Sequence, residues 1–137
     1  MISRRAFLKG SLLVAGAMVV GRSGTALAAS GSFPSNIVYT REDPGIWASK
    51  VESHAPKVNV EGNRVTVTTD HTMSKKHYIV RHTLVSADGN VIGGKAFSPS
   101  DKKAVSTYEL PAGAGSKFYA TSFCNLHDFW VTEFTTQ

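Results

Sequence analysis

The chain has 137 residues, of which 42% are hydrophobic and 18% are charged, and its formal net charge is +5 at pH 7. This length allows one domain with a buried core. Four of the fifteen basic residues and none of the ten acidic residues lie within residues 1–28. The remainder has a net charge of about +1. Overall basicity therefore gives no reason to expect nucleic-acid binding.

The N-terminal segment is typical of an export signal. Arg4 and Arg5 precede an apolar run at residues 10–20, and residues 26–28 supply the small side chains of a cleavage site. The run is shorter than the roughly 20 residues of a membrane-spanning helix. Residues 3–9 resemble the twin-arginine pattern Ser-Arg-Arg-x-Phe-Leu-Lys at every fixed position. We therefore expect a twin-arginine signal peptide at residues 1–28, an exported domain at 29–137 and a periplasmic location.

Short β-strand patterns follow one another along the exported domain. Residues 36–40 are a short strand candidate, residues 41–45 a turn, and residues 46–53 either a helical turn or irregular chain. Further strands are predicted by alternating and β-branched residues at 58–60, 64–69, 78–85, 91–97, 105–110, 117–123 and 131–135. The sequence Ala-Asp-Gly-Asn at residues 87–90 predicts a hairpin turn. About seven strands with almost no helical period predict an all-β fold, an antiparallel β-sandwich.

The only cysteine, Cys124, precedes His127 by three residues. Both side chains can contact one metal ion if the backbone between them turns, because three extended residues would span roughly 10 Å. Asn125 suits such a turn because its side chain can bond nearby backbone. A lone thiol in an oxidising periplasm has no internal disulfide partner, so it must be buried, reactive or metal-bound. Taken alone, the pair is compatible with a buried thiol or with a transition-metal site.

Histidines add further nitrogen ligands to this cysteine. The five histidines are His54, His71, His77, His82 and His127. All except His82 lie in predicted loops or at strand ends, where the sites of a sandwich are usually built. Four such nitrogens and one sulfur exceed the four ligands of a tetrahedral zinc site. Five ligands with one soft sulfur indicate a redox metal with an open sixth position.

Three motifs, in this order, resemble the iron site of the superoxide reductases, the desulfoferrodoxin and neelaredoxin family. They are Glu52-x-His54-x-Pro56, His71-x-Met73-x-x-x-His77-Tyr78-Ile79, and Cys124-Asn125-Leu126-His127 with Trp130 close behind. The similarity covers residues 47–130, most of the exported domain. It implies an immunoglobulin-like sandwich that holds one iron. The implied ligands are four histidines around the metal and one axial cysteine: His54, His71, His77, His127 and Cys124.

The resemblance also implies an activity. Superoxide would be reduced by one electron to hydrogen peroxide at a mononuclear iron that alternates between Fe2+ and Fe3+. A separate redox protein, which the sequence does not identify, would return the electron. One cysteine cannot supply the extra four-cysteine domain of the two-iron members, so we expect the one-iron type. His82 has no place in the motifs and is expected to be structural, and the sequence leaves open whether the protein forms a homo-oligomer.

Three positions depart from the family pattern. Ser53 stands where the family usually has a lysine. That lysine is thought to attract superoxide and to help protonate the product. Thr72 replaces a common proline, and Asp128 replaces a glycine that usually follows the last histidine. These departures bear on rate and proton delivery more than on metal binding.

Four charged residues near the motifs are candidates for catalytic roles. Glu52 matches the family glutamate that is implied to be a sixth ligand to ferric iron. The alternative interpretation is that Glu52 is a solvated surface carboxylate. Lys57, Lys75 and Lys76 lie near the ligands in sequence and could form a positive rim, since focused charge can raise association rates at least tenfold. The alternative interpretation is that these lysines are simply solvated surface residues without a catalytic role.

Two other classes of protein compete with the reductase. An exported blue-copper electron carrier is also a β-sandwich, but its site usually needs an axial methionine after the second histidine, and no methionine follows His127. A sandwich that binds another protein would make the histidines incidental. A third variant is a family member that binds iron without fast turnover, which the change at Ser53 would permit.

Overall fold

The structure, a computed structural model, describes residues 33–137, so the predicted signal peptide lies outside the described residues. Two short helical segments come first, a 3-10 helix at Gly45–Lys50 and helix α1 at Val51–His54. Seven strands follow: β1 Lys57–Glu61, β2 Arg64–Thr69, β3 Ile79–Ser86, β4 Val91–Ala96, β5 Ala104–Glu109, β6 Lys117–Cys124 and β7 Asp128–Thr135. Within the same range, no helix is both long and apolar enough to cross a membrane.

The strands form two sheets whose paired strands are all antiparallel. One sheet has the order β1-β2-β5, and the other has the order β4-β3-β6-β7. The prediction of an antiparallel β-sandwich of about seven strands is thereby confirmed. The predicted turn at residues 87–90 joins β3 to β4, with Ser86 N–H bonded to Asn90 O at 2.9 Å.

The core lies between the sheets because alternate residues of each strand face inward. Val65 and Val67 of β2 contact Leu84 of β3 and Phe118 of β6, all with no exposed surface. Each such buried side chain contributes roughly 1.5–3 kcal/mol of transfer free energy. Towards one end, a second apolar cluster consists of Ile79, Phe97, Ala104 and Cys124. The cysteine is thus part of the core at the end of β6.

Two parts of the sequence prediction need correction. Residues 36–40 do not form a strand, because Asn36 has a positive φ of 75° and only Tyr39 pairs, in an isolated parallel bridge with Trp130. The undecided segment at 46–53 is helical. In addition, β7 begins at Asp128 rather than at Val131, because its pairing with β6 continues to the Cys124–Asp128 pair.

Candidate metal centre

Four potential ligand residues converge at the end of the sandwich where β6 finishes. They are His54, His77, Cys124 and His127, and one ligand atom from each lies within 4.8 Å of all the others. His54 is the last residue of α1, His77 precedes β3, Cys124 ends β6, and His127 lies in the turn before β7. Segments far apart in sequence therefore deliver one sulfur and three nitrogens to one place.

His71 lies against this group. Its Nε2 is 2.9 Å from His77 Nε2 and 3.8 Å from Cys124 Sγ. The same His77 Nε2 atom is also 3.0 Å from His127 Nδ1, which is itself 3.7 Å from Cys124 Sγ. Three ring nitrogens and the thiol thus face a common point. His127 presents Nδ1 to this point, whereas His71 and His77 present Nε2.

Hydrogen bonds fix which nitrogen of two histidines is free to bind a metal. His54 Nδ1 donates to Lys50 O at 3.1 Å, and His71 Nδ1 donates to Thr72 O. A carbonyl oxygen only accepts, so Nδ1 carries the hydrogen and Nε2 keeps its lone pair. Such bonds orient a ligating imidazole and increase its basicity.

His54 Nε2 provides a test of whether the site fits a metal ion. It is the one buried side-chain nitrogen or oxygen within residues 33–137 that has no hydrogen-bond partner. A buried polar atom without a partner normally costs about 1–3 kcal/mol. A metal ion would use this lone pair, so the orphaned atom and the donor set around it fit a transition metal.

Burial favours the neutral, metal-binding form of three of these histidines. It lowers the pKa of His54 to about 4, with further lowering by the neighbouring His71. Burial is also the main cause that lowers the pKa of His71 and of His127, and the charge of nearby His77 adds to it. Repulsion from neighbouring imidazoles therefore adds to burial in disfavouring protonation of His54, His71 and His127.

The Cys124 thiol experiences opposing effects. Burial raises its pKa, while hydrogen bonds from the backbone of Leu126 and His127 lower it. Backbone N–H groups aimed at a sulfur stabilise the thiolate, which is the form that binds a metal. A positive ion at the site would act in the same direction.

Asn125 joins two of the segments that carry ligands. Its Oδ1 accepts the Tyr78 N–H and its Nδ2 donates to Lys76 O, each at 3.0 Å. Its own N–H donates to Tyr78 O at 3.2 Å. These bonds clamp the chain on both sides of His77 to the turn that follows Cys124. The sequence predicted that Asn125 would bond nearby backbone, and the bonds instead reach residues almost fifty positions away.

A comparison with known proteins identifies the family of most of the described residues. The desulfoferrodoxin family model matches residues 46–133. The chain belongs to the desulfoferrodoxin family. No match is found among curated proteins.

Solved structures of superoxide reductases have a similar fold. A variant of the superoxide reductase (neelaredoxin) from Ignicoccus hospitalis has a TM-score of 0.60 and 26% identity, over 77% of this chain and 98% of that chain. The unsubstituted Ignicoccus protein has a TM-score of 0.56 and 26% identity, over 73% and 94% of the two chains. The one-iron superoxide reductase from Giardia intestinalis has a TM-score of 0.56 at 24% identity, covering 62% of this chain and 99% of that one. At that identity, the last match supports the fold alone.

In this member of the desulfoferrodoxin family, two of the predicted catalytic residues, Glu52 and Lys57, belong to a surface network of charges. Glu52 is paired with Arg41 and lies outside the group of ligand atoms. Lys57 is 2.6 Å from Asp70 and 3.9 Å from Glu52. Arg41 lowers the pKa of Glu52, and Asp70 raises the pKa of Lys57. Lys75 is exposed on the loop between His71 and His77.

Sequence reasoning missed Lys50. Its backbone oxygen accepts the His54 hydrogen bond, and its charge adds to the effect of burial in lowering the pKa of His71 and His127. The same charge also favours the thiolate of Cys124, against the dominant effect of burial. The signal in the sequence was a lysine four residues before a candidate ligand, His54, which places both on one helical face.

Ser53, which stands where the family resemblance predicts a lysine, contacts the neighbouring His54. Its Oγ lies 2.8 Å from His54 Nδ1 and donates to Lys50 O at 3.2 Å. The hydroxyl therefore supports the hydrogen bond that fixes the ring of His54. A lysine at this position would offer no acceptor to Nδ1.

Proposed function

We propose that the protein is a superoxide reductase with a mononuclear non-haem iron. The observation that carries this proposal is the convergence of histidine nitrogens on the buried sulfur of Cys124, with His54 Nε2 buried and unpartnered. Family membership and the fold support it. The proposed ligands are the four histidines and the cysteine that the sequence singled out: His54, His71, His77, His127 and Cys124.

The donor set favours a redox metal over a structural zinc. Zinc in structural sites is almost always tetrahedral with four ligands. Here five donors, including one soft thiolate, would leave a sixth position for a small anion. When bound, iron would supply one electron, which converts superoxide and two protons into hydrogen peroxide, and a separate redox protein would return that electron.

The chain's own residues would bind and orient the reacting partners. Cys124 would hold the metal as a thiolate, whose charge the backbone of Leu126 and His127 stabilises. The neutral imidazoles add no negative charge, so the site would stay attractive to an anion. Lys50 and Lys75 would add positive charge around the approach and raise the encounter rate with superoxide.

Glu52 would act as a further ligand only after a rearrangement. Its carboxylate is ionised and held by Arg41 and Lys57. Binding to the metal would therefore require the Arg41 ion pair to open. We propose that this exchange, rather than permanent coordination, describes the role of Glu52.

The ratio of peroxide formed to superoxide consumed tests the activity. With iron-loaded protein and an excess of reductant, a reductase yields one peroxide per superoxide, whereas dismutation yields one per two. We expect a ratio near one, and Cys124→Ser should lose the activity. A ratio near one half, or consumption no faster than the spontaneous reaction, would contradict the proposal and leave a metal-binding sandwich.

We also propose that the protein is exported by the twin-arginine pathway to the periplasm, on the basis of residues 3–9 and the apolar run after them. Replacing Arg4 and Arg5 together by lysine should retain the protein inside the cell. Unchanged export in cell fractionation would overturn this part of the proposal.

A further inference from the structure

Five buried polar side chains form a continuous hydrogen-bonded series inside the sandwich, which we call the polar chain. Tyr108 Oη donates to Ser106 Oγ, and Ser106 Oγ lies against His82 Nδ1, each at 2.8 Å. His82 Nε2 bonds to Thr69 Oγ1, and Thr69 Oγ1 bonds to Ser122 Oγ, again at 2.8 Å. All five residues are buried. His82, to which the family motifs assign no role, is the centre of the series.

The polar chain satisfies both nitrogens of its histidine. A neutral imidazole has one donor and one acceptor nitrogen, and a hydroxyl can meet either need. With Tyr108 donating to Ser106, the series is satisfied when Ser106 donates to His82 Nδ1 and His82 Nε2 donates to Thr69. Thr69 then donates to Ser122. A fully satisfied buried network specifies one arrangement of the groups that it joins.

The polar chain connects the two sheets. Thr69 and Ser106 belong to the three-stranded sheet, while His82 and Ser122 belong to the four-stranded sheet. Each of the three hydrogen bonds among these four residues therefore crosses between sheets. Apolar contacts across a sandwich are non-directional, whereas hydrogen bonds hold their atoms within a narrow range of distance and angle. The polar chain thus fixes the relative position of β2 and β6.

One end of the polar chain lies next to the metal centre. Thr69 ends β2, and its carbonyl oxygen accepts the N–H of His71 at 2.8 Å. Ser122 lies two residues before Cys124 on β6, so their side chains are on the same face of the strand. The bond between Thr69 and Ser122 therefore joins the strand ends that carry His71 and Cys124. His71 follows a strand of the three-stranded sheet, whereas Cys124 ends a strand of the four-stranded sheet.

We propose that the polar chain is a positioning device for the metal centre. The hydrogen bond between Thr69 and Ser122, supported by His82, sets the 3.8 Å separation of His71 Nε2 and Cys124 Sγ. Thr69, His82 and Ser122 are positioning residues in this account, because they act through the two ligands. The inference rests on the proposed function, since it assigns both residues to one metal ion.

Cobalt(II) binding to the metal-free protein tests this inference without any assay of activity. Thr69→Val removes the hydroxyl at nearly constant volume, and Thr69→Ser keeps it. Val65→Ala is the matched control, because it weakens the core of the same strand and removes no hydrogen-bonding group; Val65 pairs with Tyr108, at the end of the polar chain away from Thr69 and Ser122. We expect Thr69→Val to bind cobalt about tenfold more weakly and to shift the thiolate-to-cobalt charge-transfer band. Thr69→Ser should restore both properties, and Val65→Ala should lower thermal stability while leaving both unchanged.

Ser122→Ala provides the same test from the other strand if Thr69→Val does not fold. Wild-type affinity and an unshifted band in the variant that folds would overturn the inference. Equal losses in Val65→Ala would also overturn it, because the effect would then report general loosening of the core. If the wild-type protein binds no cobalt through sulfur, the proposed metal centre fails together with this inference. Wild-type binding with an unchanged variant contradicts the inference alone.

Discussion

The indole nitrogen of Trp47 donates a hydrogen bond to the carboxylate of Asp128 at 2.9 Å, joining residues that are 81 positions apart. The Trp47 ring also packs edge-on against His127, with 4.6 Å between ring centroids. Asp128 has a φ of 70°, in the left-handed region that favours glycine. This backbone conformation explains why the family pattern usually has a glycine at this position. Asp128 adds a hydrogen bond that glycine cannot make.

Substitutions at Asp128 should therefore separate backbone strain from hydrogen bonding. Asp128→Ala loses the bond to Trp47 and places an unsuited residue in the left-handed region, which together should cost about 1–2 kcal/mol. Asp128→Asn keeps an acceptor and tolerates that conformation, so its stability should stay near that of the wild type. Urea unfolding of the metal-free variants measures both, and equal stability of the alanine and asparagine variants would contradict this account.

Asn125→Ala should weaken metal binding. The asparagine clamps the chain around His77 to the turn after Cys124 through both atoms of its amide. Loss of groups that support metal ligands typically costs 10–100-fold in affinity, and we expect a loss in that range. Competition with a chelator measures it. Asn59→Ala on the exposed face of β1 is the control, and similar affinities for both variants would rule out the clamp.

His82 should make the metal-free protein less stable in acid. Burial, with a smaller contribution from the charge of Lys95, lowers the pKa of His82 from 6.5 to about 4. The unfolded chain therefore binds a proton that the folded chain excludes. The stability from this residue is complete above pH 6.5 and is lost as the pH falls towards 4.

The His82→Gln variant isolates this effect from the other histidines. Between pH 7 and pH 5, the wild type should lose about 2 kcal/mol more unfolding free energy than the variant. Denaturant titrations at a series of pH values provide the measurement. Parallel pH profiles for the two proteins would show that His82 titrates normally in the folded state.

Part of this architecture could be predicted from the sequence, because it depends on local patterns. The alternation in residues 64–69 and 117–123 predicted strands β2 and β6, since a sheet with one buried face requires a period of two. The strand predicted at residues 36–40 was wrong, because only Tyr39 pairs there, in a single bridge with Trp130. A short β-prone run does not reveal whether a pairing partner exists.

The four residues that converge in the structure were among those singled out in the sequence, because their chemistry and order are specific. The residues that support them were not. Asn125 and Lys50 act on groups that only the folded chain brings near them. The interactions of Ser53 depend on the turn of helix that places Lys50 O beside His54 Nδ1. Such contacts with the backbone cannot be predicted from the types of side chain alone.

Lysines near the ligands should control how fast superoxide arrives. Lys50→Ala and Lys75→Ala should each slow the second-order reaction several-fold at low salt and weaken its dependence on salt, because screening has less attraction to remove. Lys57→Ala should have a smaller effect, since Asp70 and Glu52 already offset that charge. Lys117→Ala, at the other end of β6, is the control. Pulse radiolysis gives the rates, and unchanged rates for Lys50→Ala and Lys75→Ala would remove both lysines from the mechanism.

The most direct test of the central claim is iron analysis combined with an optical spectrum of the purified protein before and after mild oxidation. The account predicts about one iron per chain and a visible sulfur-to-iron charge-transfer band on oxidation, with the band absent in Cys124→Ser. Copper with an intense blue band would instead indicate an electron carrier. Metal-free protein that takes up no iron, with Cys124 reacting as a free thiol, would contradict the account.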